Sequence, residues 1–189
     1  MAKKIVWGIH AGKLGEADTL FLDTNKIALG WSEISDLETI PATRDAFKQK
    51  IKETYPNAKP GSWPNNAGQL FRFIHEMKIG DAVLYPSNKD KKVHIGEITG
   101  DYQYQPLEKT CYVHQRSVKW LEAVERVKFS QGALYEIGSA MSLFQVRNYA
   151  DEFLGKLEKG KANIQVAEVD SGPYADHIEQ ISRDHMLKT

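Results

Sequence analysis

Between Asp81 and Val124 the hydrophobic pattern leaves helical spacing. "AVLYPS", "VHIGEITG", "YQYQP" and "CYVHQRSVKWLEAV" are short strand-like runs, separated by the charged turn "NKDKK" and by glycines. Strands joined this closely fold as an antiparallel meander, because a parallel return needs a crossover of a dozen residues or more. Gly96 and Gly100 lie where such a sheet would bend. The middle of the chain is therefore expected to be a small curved sheet, antiparallel or mixed, closing toward a barrel.

The flanks add two strands and several helices. "KKIVWGIH" and "NKIALGW" read as strands joined by a polar connection holding Gly12 and Gly15. "TRDAFKQKIKETYP" spaces Phe47, Ile51 and Tyr55 helically, with Thr43 as N-cap and Pro56 past the end. Leu70, Phe71, Ile74 and Met77 form the stripe of a second helix that Gly80 stops. "SQGALYEIGSAMSLFQV" mixes turn residues into an apolar pattern, and "RNYADEFLGKLEKG" is an amphipathic helix with Gly160 as C-cap. The fold class is α+β, with one domain over residues 1–160. Residues 161–189 are expected to be a linker followed by a polar helix, an extension toward something outside the domain.

At 189 residues, 41% hydrophobic and 26% charged, the chain fits a globular domain and neither a fibrous nor a disordered one. No run approaches the roughly 20 apolar residues of a membrane span, and the start lacks a signal-peptide core, so a cytoplasmic location and no membrane partner are expected. The single cysteine, Cys111, reads as a buried strand residue. Zero net charge excludes bulk electrostatic coating of nucleic acid, but the charge is segregated. Residues 13–41 are mostly acidic, whereas 109–128 carry Lys109, Arg116, Lys119, Arg126 and Lys128.

Familiar catalytic motifs break off before completion. In "GIHAGK" the two glycines stand one residue too close for a phosphate loop, and Leu14 occupies the place of the metal-binding hydroxyl. "HEMKI" puts Ile79 where a zinc helix needs its second histidine. Glu97 and Glu108 lack the lysine that a metal-dependent nuclease strand places two residues on. No catalytic residue, metal site or cofactor is assigned.

What remains is a set of rings at strand ends and turns, including Trp7, Trp31, Tyr102 and Tyr104. Aromatic walls with a few polar groups are how proteins hold a base outside a duplex. In a strand, however, an aromatic residue is more often core than cage.

"WGIHAGK", "IALGWSEISDL", "GDAVLYPS", "HIGEITGDYQYQP", "HQRSVKW" and "FSQGALYEIGSAMSLFQV", in this order over residues 4–154, resemble the N-terminal domain of Mrr-type restriction endonucleases. That domain is similar to the PUA-like superfamily, which includes EVE and YTH domains. The resemblance implies a PUA-like barrel, modified duplex DNA as partner, and a separate PD-(D/E)xK nuclease domain in the parent chain. It implies no enzyme activity for this chain, which looks like a fragment or a short relative. "YADHIEQISRDHMLKT" resembles the segment leading into the nuclease domain.

The expected mechanism is flipping of a modified base into a cup. Trp31 and Trp7 are its first walls and Tyr102 and Tyr104 the next, with Ser32, Asp36 and His10 reading the base edge. Lys89, Lys91, Lys92, Arg116 and Lys119 are the expected phosphate contacts. Asp36 would equally cap a turn, and Tyr102 and Tyr104 would equally cover the outer sheet face. Three other classes stay open: an RNA-binding PUA-like protein, a small nuclease or hydrolase, and a structural domain with an aromatic core.

Overall fold

In the computed structural model, residues 4–106 and 110–162 are described. A seven-stranded mixed sheet curls into a half-barrel flanked by helices. The strands are β1 (Val6–Ile9), β2 (Lys26–Leu29), β3 (Ala82–Pro86), β4 (Lys92–Ile98), β5 (Gln103–Tyr104), β6 (His114–Glu125) and β7 (Leu143–Gln145). Their order is β2-β6-β4-β3-β1-β7, with β5 paired to the start of β6. Only β1 and β3 run parallel, because the 72 residues between Ile9 and Ala82, which hold β2 and the helices α1 to α3, provide the crossover.

The curl comes from β6. Its first residues pair with β2, from His114↔Leu29 to Ser117↔Lys26, and the rest with β4, from Val118↔Ile98 to Glu125↔Lys92. The β4–β6 ladder is itself interrupted by a bulge between Ile95 and Gly96, and Gly96 lies opposite Trp120. A Cβ on Gly96 would stand 2.8 Å from the Trp120 ring and from Val118, and 2.9 Å from the Lys119 carbonyl. The missing side chain is what lets the strands close here.

Both faces of the sheet are buried. Trp7, Ile9, Val83, Tyr85 and Ile98 point inward to a core shared with α1 (Asp18–Thr24), α2 (Arg44–Thr54) and α3 (Ser62–Phe71, continued by a wider turn to Glu76). Val6, Ala82, Leu84, Val93 and Ile95 point outward to a second core with α4 (Gln131–Ile137) and α5 (Ala150–Ala162). Alternate residues thus go to different cores, which is why β1 and β3 read as unbroken apolar runs.

Thr43 caps α2 by accepting from the Ala46 N–H at 3.1 Å. Three sequence expectations change. The connection after β1 contains a helix, α1; Cys111 is exposed ahead of β6; and Gly160 lies inside α5 instead of capping it. The polar helix and most of the linker expected over 161–189 fall outside the described residues. Among the described residues, no helix is long and apolar enough to cross a membrane.

Candidate functional site

Six segments meet beside the half-barrel: the loops after β1 and β2, the β3–β4 turn, the loop before β6, the segment after β6, and the loop joining α4 to β7. They enclose two adjoining cavities, of about 180 Å³ and about 450 Å³, that share His10, Gly12 and Ser142. The smaller one is walled by the rings of Trp31 and Tyr112 and by the chain from Ala28 to Gly30.

Trp31 has a left-handed backbone, φ 50°. For a bulky residue this conformation is costly and survives only where the surroundings hold it. Here its carbonyl accepts from the Ile34 N–H at 3.0 Å and from His114 Nε2 at 3.3 Å. His114 is fully buried, and its Nδ1 lies 2.8 Å from the Tyr102 hydroxyl. That hydroxyl in turn accepts from the Leu37 N–H at 3.0 Å.

The chain of bonds has one consistent direction. Leu37 N–H donates to Tyr102, Tyr102 O–H donates to His114 Nδ1, and His114 Nε2–H donates to Trp31. It requires a neutral imidazole, and burial supplies one by pushing His114 down to about 4. Tyr102 and Tyr104 both stack on the His114 ring, each with centroids 5.9 Å apart, so the two same-face tyrosines enclose a histidine.

His10 stands at the seam between the cavities. Its Nε2 is buried without a hydrogen-bond partner among the described residues, while the ring is held by the Ser139 backbone. Burial lowers its pKa, so the imidazole is neutral and its unpaired nitrogen is an acceptor. Its ring leans on Phe144 at 5.5 Å. Phe144 fits there because Gly8 is bare; a Cβ on Gly8 would fall 2.3 Å from the Phe144 ring.

Gly12, also at the seam, has φ +83°, and a Cβ there would lie 1.9 Å from Glu16 Oε2 and 2.2 Å from the Tyr112 hydroxyl. Burial, then the Glu16 charge, pushes the Tyr112 phenol up to about 12. It is therefore a neutral ring at ordinary pH.

Of the residues expected in a base pocket, Trp31 and His10 line the smaller cavity. Trp7 does not: it is 1% exposed and donates from Nε1 to Asp81 Oδ2 at 2.9 Å inside the core. Tyr102 is likewise buried, one layer behind Trp31, and Tyr104 packs on His114. Ser32 is exposed beside Trp31, and Asp36 caps the turn Leu37–Thr39 by accepting from the Glu38 N–H at 3.0 Å.

Among the expected phosphate contacts, Arg116 is corrected. It is 2% exposed, donating from Nε to the Gly100 carbonyl at 3.1 Å and from Nη1 to the Phe73 carbonyl at 3.0 Å. It fastens α3 to the sheet. Lys119 is exposed on β6, and Lys89, Lys91 and Lys92 sit at the β3–β4 turn, Lys91 with φ 61°. Sequence reasoning missed Tyr112, Arg126 and the Gly138–Ser142 loop. The run of small residues in "GSAMS" was the available signal for the loop.

Residues 7–147 match the family model described as "Domain of unknown function (DUF8426)", and the chain belongs to that family. It is also similar to two solved structures. One, the NMR structure of Rpa0253 from Rhodopseudomonas palustris, shares 15% identity over 81% of this chain and 92% of that one, with a TM-score of 0.38. The other, protein Atu2648 from Agrobacterium tumefaciens, shares 14% identity over 83% and 93%, with a TM-score of 0.37. No curated protein matches.

Proposed function

We propose that this chain is the DNA-binding specificity module of a modification-dependent, Mrr-like restriction system, built on a PUA-like barrel. It takes one base out of the duplex and holds it in the smaller cavity. The observation that carries this reading is the composition of that cavity: two half-buried rings, Trp31 and Tyr112, beside the unpaired Nε2 acceptor of His10. Flat walls hold any base by stacking, and an acceptor in a dry site favours a base edge that offers an N–H. Cytosine and adenine, with their exocyclic amines, meet that requirement, and a methyl group adds apolar area against the rings.

The strained Trp31 backbone fits a wall that must stand at one angle. The relay from Leu37 through Tyr102 and His114 fixes that angle before a ligand arrives, so less ordering entropy is lost on binding. Cleavage in this reading belongs to a separate nuclease domain.

The test is binding of this chain to matched fluorescent duplexes bearing cytosine, 5-methylcytosine, 5-hydroxymethylcytosine or N6-methyladenine at stated salt, beside single-stranded RNA. One modified duplex is expected to bind preferentially, and Trp31→Ala to lose roughly 5- to 150-fold, the worth of one stacked base. Equal binding of all four duplexes, or tighter binding of RNA, would refute the DNA reading.

A further inference from the structure

The larger cavity differs from its neighbour in charge. Arg126 and Lys13 line it, and no carboxylate does among the described residues. Neither cation has an ion-pair partner among the described residues. Arg126 is nevertheless held still: its Nη2 donates to the Ser87 carbonyl at 2.9 Å and to Asn88 Oδ1 at 3.0 Å. Its Nε is buried with no acceptor. A fixed guanidinium with an unused donor is an incomplete hydrogen-bonding set, and an oxyanion completes it.

The other side of the cavity is apolar, formed by Leu134, Ile137 and Met141. A space of about 450 Å³ with a cationic side and an apolar side is larger than a lone anion needs and suits an anion attached to a carbon skeleton. Because the two cavities share His10, Gly12 and Ser142, a base in the smaller one would carry its own backbone to the seam.

We propose that the larger cavity seats the sugar-phosphate backbone of the same strand, with Arg126 and Lys13 as phosphate contacts and Leu134, Ile137 and Met141 under the sugar. The identity of the ligand rests on the base-pocket reading; the anion site itself does not. Arg126 here positions the strand without reading sequence.

The experiment is a titration of the full chain with inorganic phosphate, followed by NMR at the Arg126 side-chain N–H and the backbone amides of residues 138–142. Saturable shifts confined to these groups are expected. Those at residues 138–142 should persist in Arg126→Lys, and the phosphate affinity they report should weaken roughly tenfold or more in Arg126→Gln, which removes a charge-assisted bond. Lys13→Gln, an exposed position without hydrogen bonds in the structure, should weaken them less and serves if Arg126→Gln does not fold.

A second arm measures duplex affinity against salt. Arg126→Gln should shallow the slope by about one charge and weaken all duplexes alike, whereas Trp31→Ala should keep the slope and erase the preference among bases. Phosphate shifts scattered over Lys89, Lys91 and Lys119, or failing to saturate, would overturn the proposal. Localised phosphate binding without a Trp31 effect would leave the anion site standing and remove the base pocket; the reverse result would do the opposite.

Discussion

Trp7 and Trp31 follow similar sequences, "KKIVW" and "KIALGW", yet they end in opposite circumstances. Trp7 is in regular strand, buried, with its indole N–H bonded to Asp81. Trp31 is two residues past the end of β2, half-buried, with a left-handed backbone, and its ring faces a cavity. Around Trp7 every polar group has a partner and every apolar face a neighbour. Around Trp31 the hydrogen bonds go to holding the backbone, the ring packs only partly against the core, and the nearby His10 nitrogen has no partner among the described residues. A region that has satisfied itself contributes stability; one that is held open keeps its unsatisfied groups for a ligand.

The largest effect that would test this contrast is on folding. Trp7→Ala removes a fully buried ring and one of the two hydrogen bonds that Asp81 Oδ2 accepts, so a loss of about 3–5 kcal/mol is expected. Trp31→Ala should cost less than about 1 kcal/mol, since it deletes a half-buried ring. Urea unfolding of both variants checks this, and equal losses would break the distinction between core and cup.

Next comes pH. His114 titrates at about 4 in the fold and about 6.5 when unfolded, so the unfolded chain takes up the proton first. Stability is then complete above about pH 6.5 and falls as the pH drops toward 4, by about 3 kcal/mol, with His10 acting in the same direction. Unfolding measured across this window should show the slope, and His114→Gln should flatten it. If the slope is unchanged in the variant, His114 is not the group that produces it.

A smaller effect is expected at the seam. Gly12→Ala places a side chain at positive φ against Glu16 and Tyr112, at a cost of about 1–2 kcal/mol. Because Tyr112 must move, affinity for the preferred duplex should fall by more than stability predicts. Thermal melting beside binding titration separates the two, and a variant that loses stability alone would confine Gly12 to a structural role.

Much of the fold was legible. Short strand-like runs bounded by turn residues from Asp81 onward announced β3, β4 and β6, and the Thr43 cap and helical spacing announced α2, because these patterns are local and each residue reports on its own segment. The parallel pairing of β1 with β3 was not, since the residues that pair are over 70 positions apart and nothing in either strand names its partner. The short elements α1 and β7 were missed for a related reason. Seven and three residues give too few periods to read, and tertiary contacts fix their conformation.

Of the residues that composition and position singled out for a base pocket, Trp31 and His10 line the smaller cavity and Trp7, Ser32, Asp36, Tyr102 and Tyr104 do not. The sequence by itself determined that rings cluster at strand ends, that no familiar catalytic motif is complete, and that a curved sheet would gather those ends. Only the tertiary structure decided which ring becomes wall and which becomes core. It sent Arg116 inward to cap backbone carbonyls and left Arg126, ten residues later on the same stretch, beside a cavity whose described lining holds no carboxylate. The physical reason is that an exposed cation and a buried one have the same local sequence signature. Their roles diverge only when distant segments supply, or fail to supply, the acceptors they need.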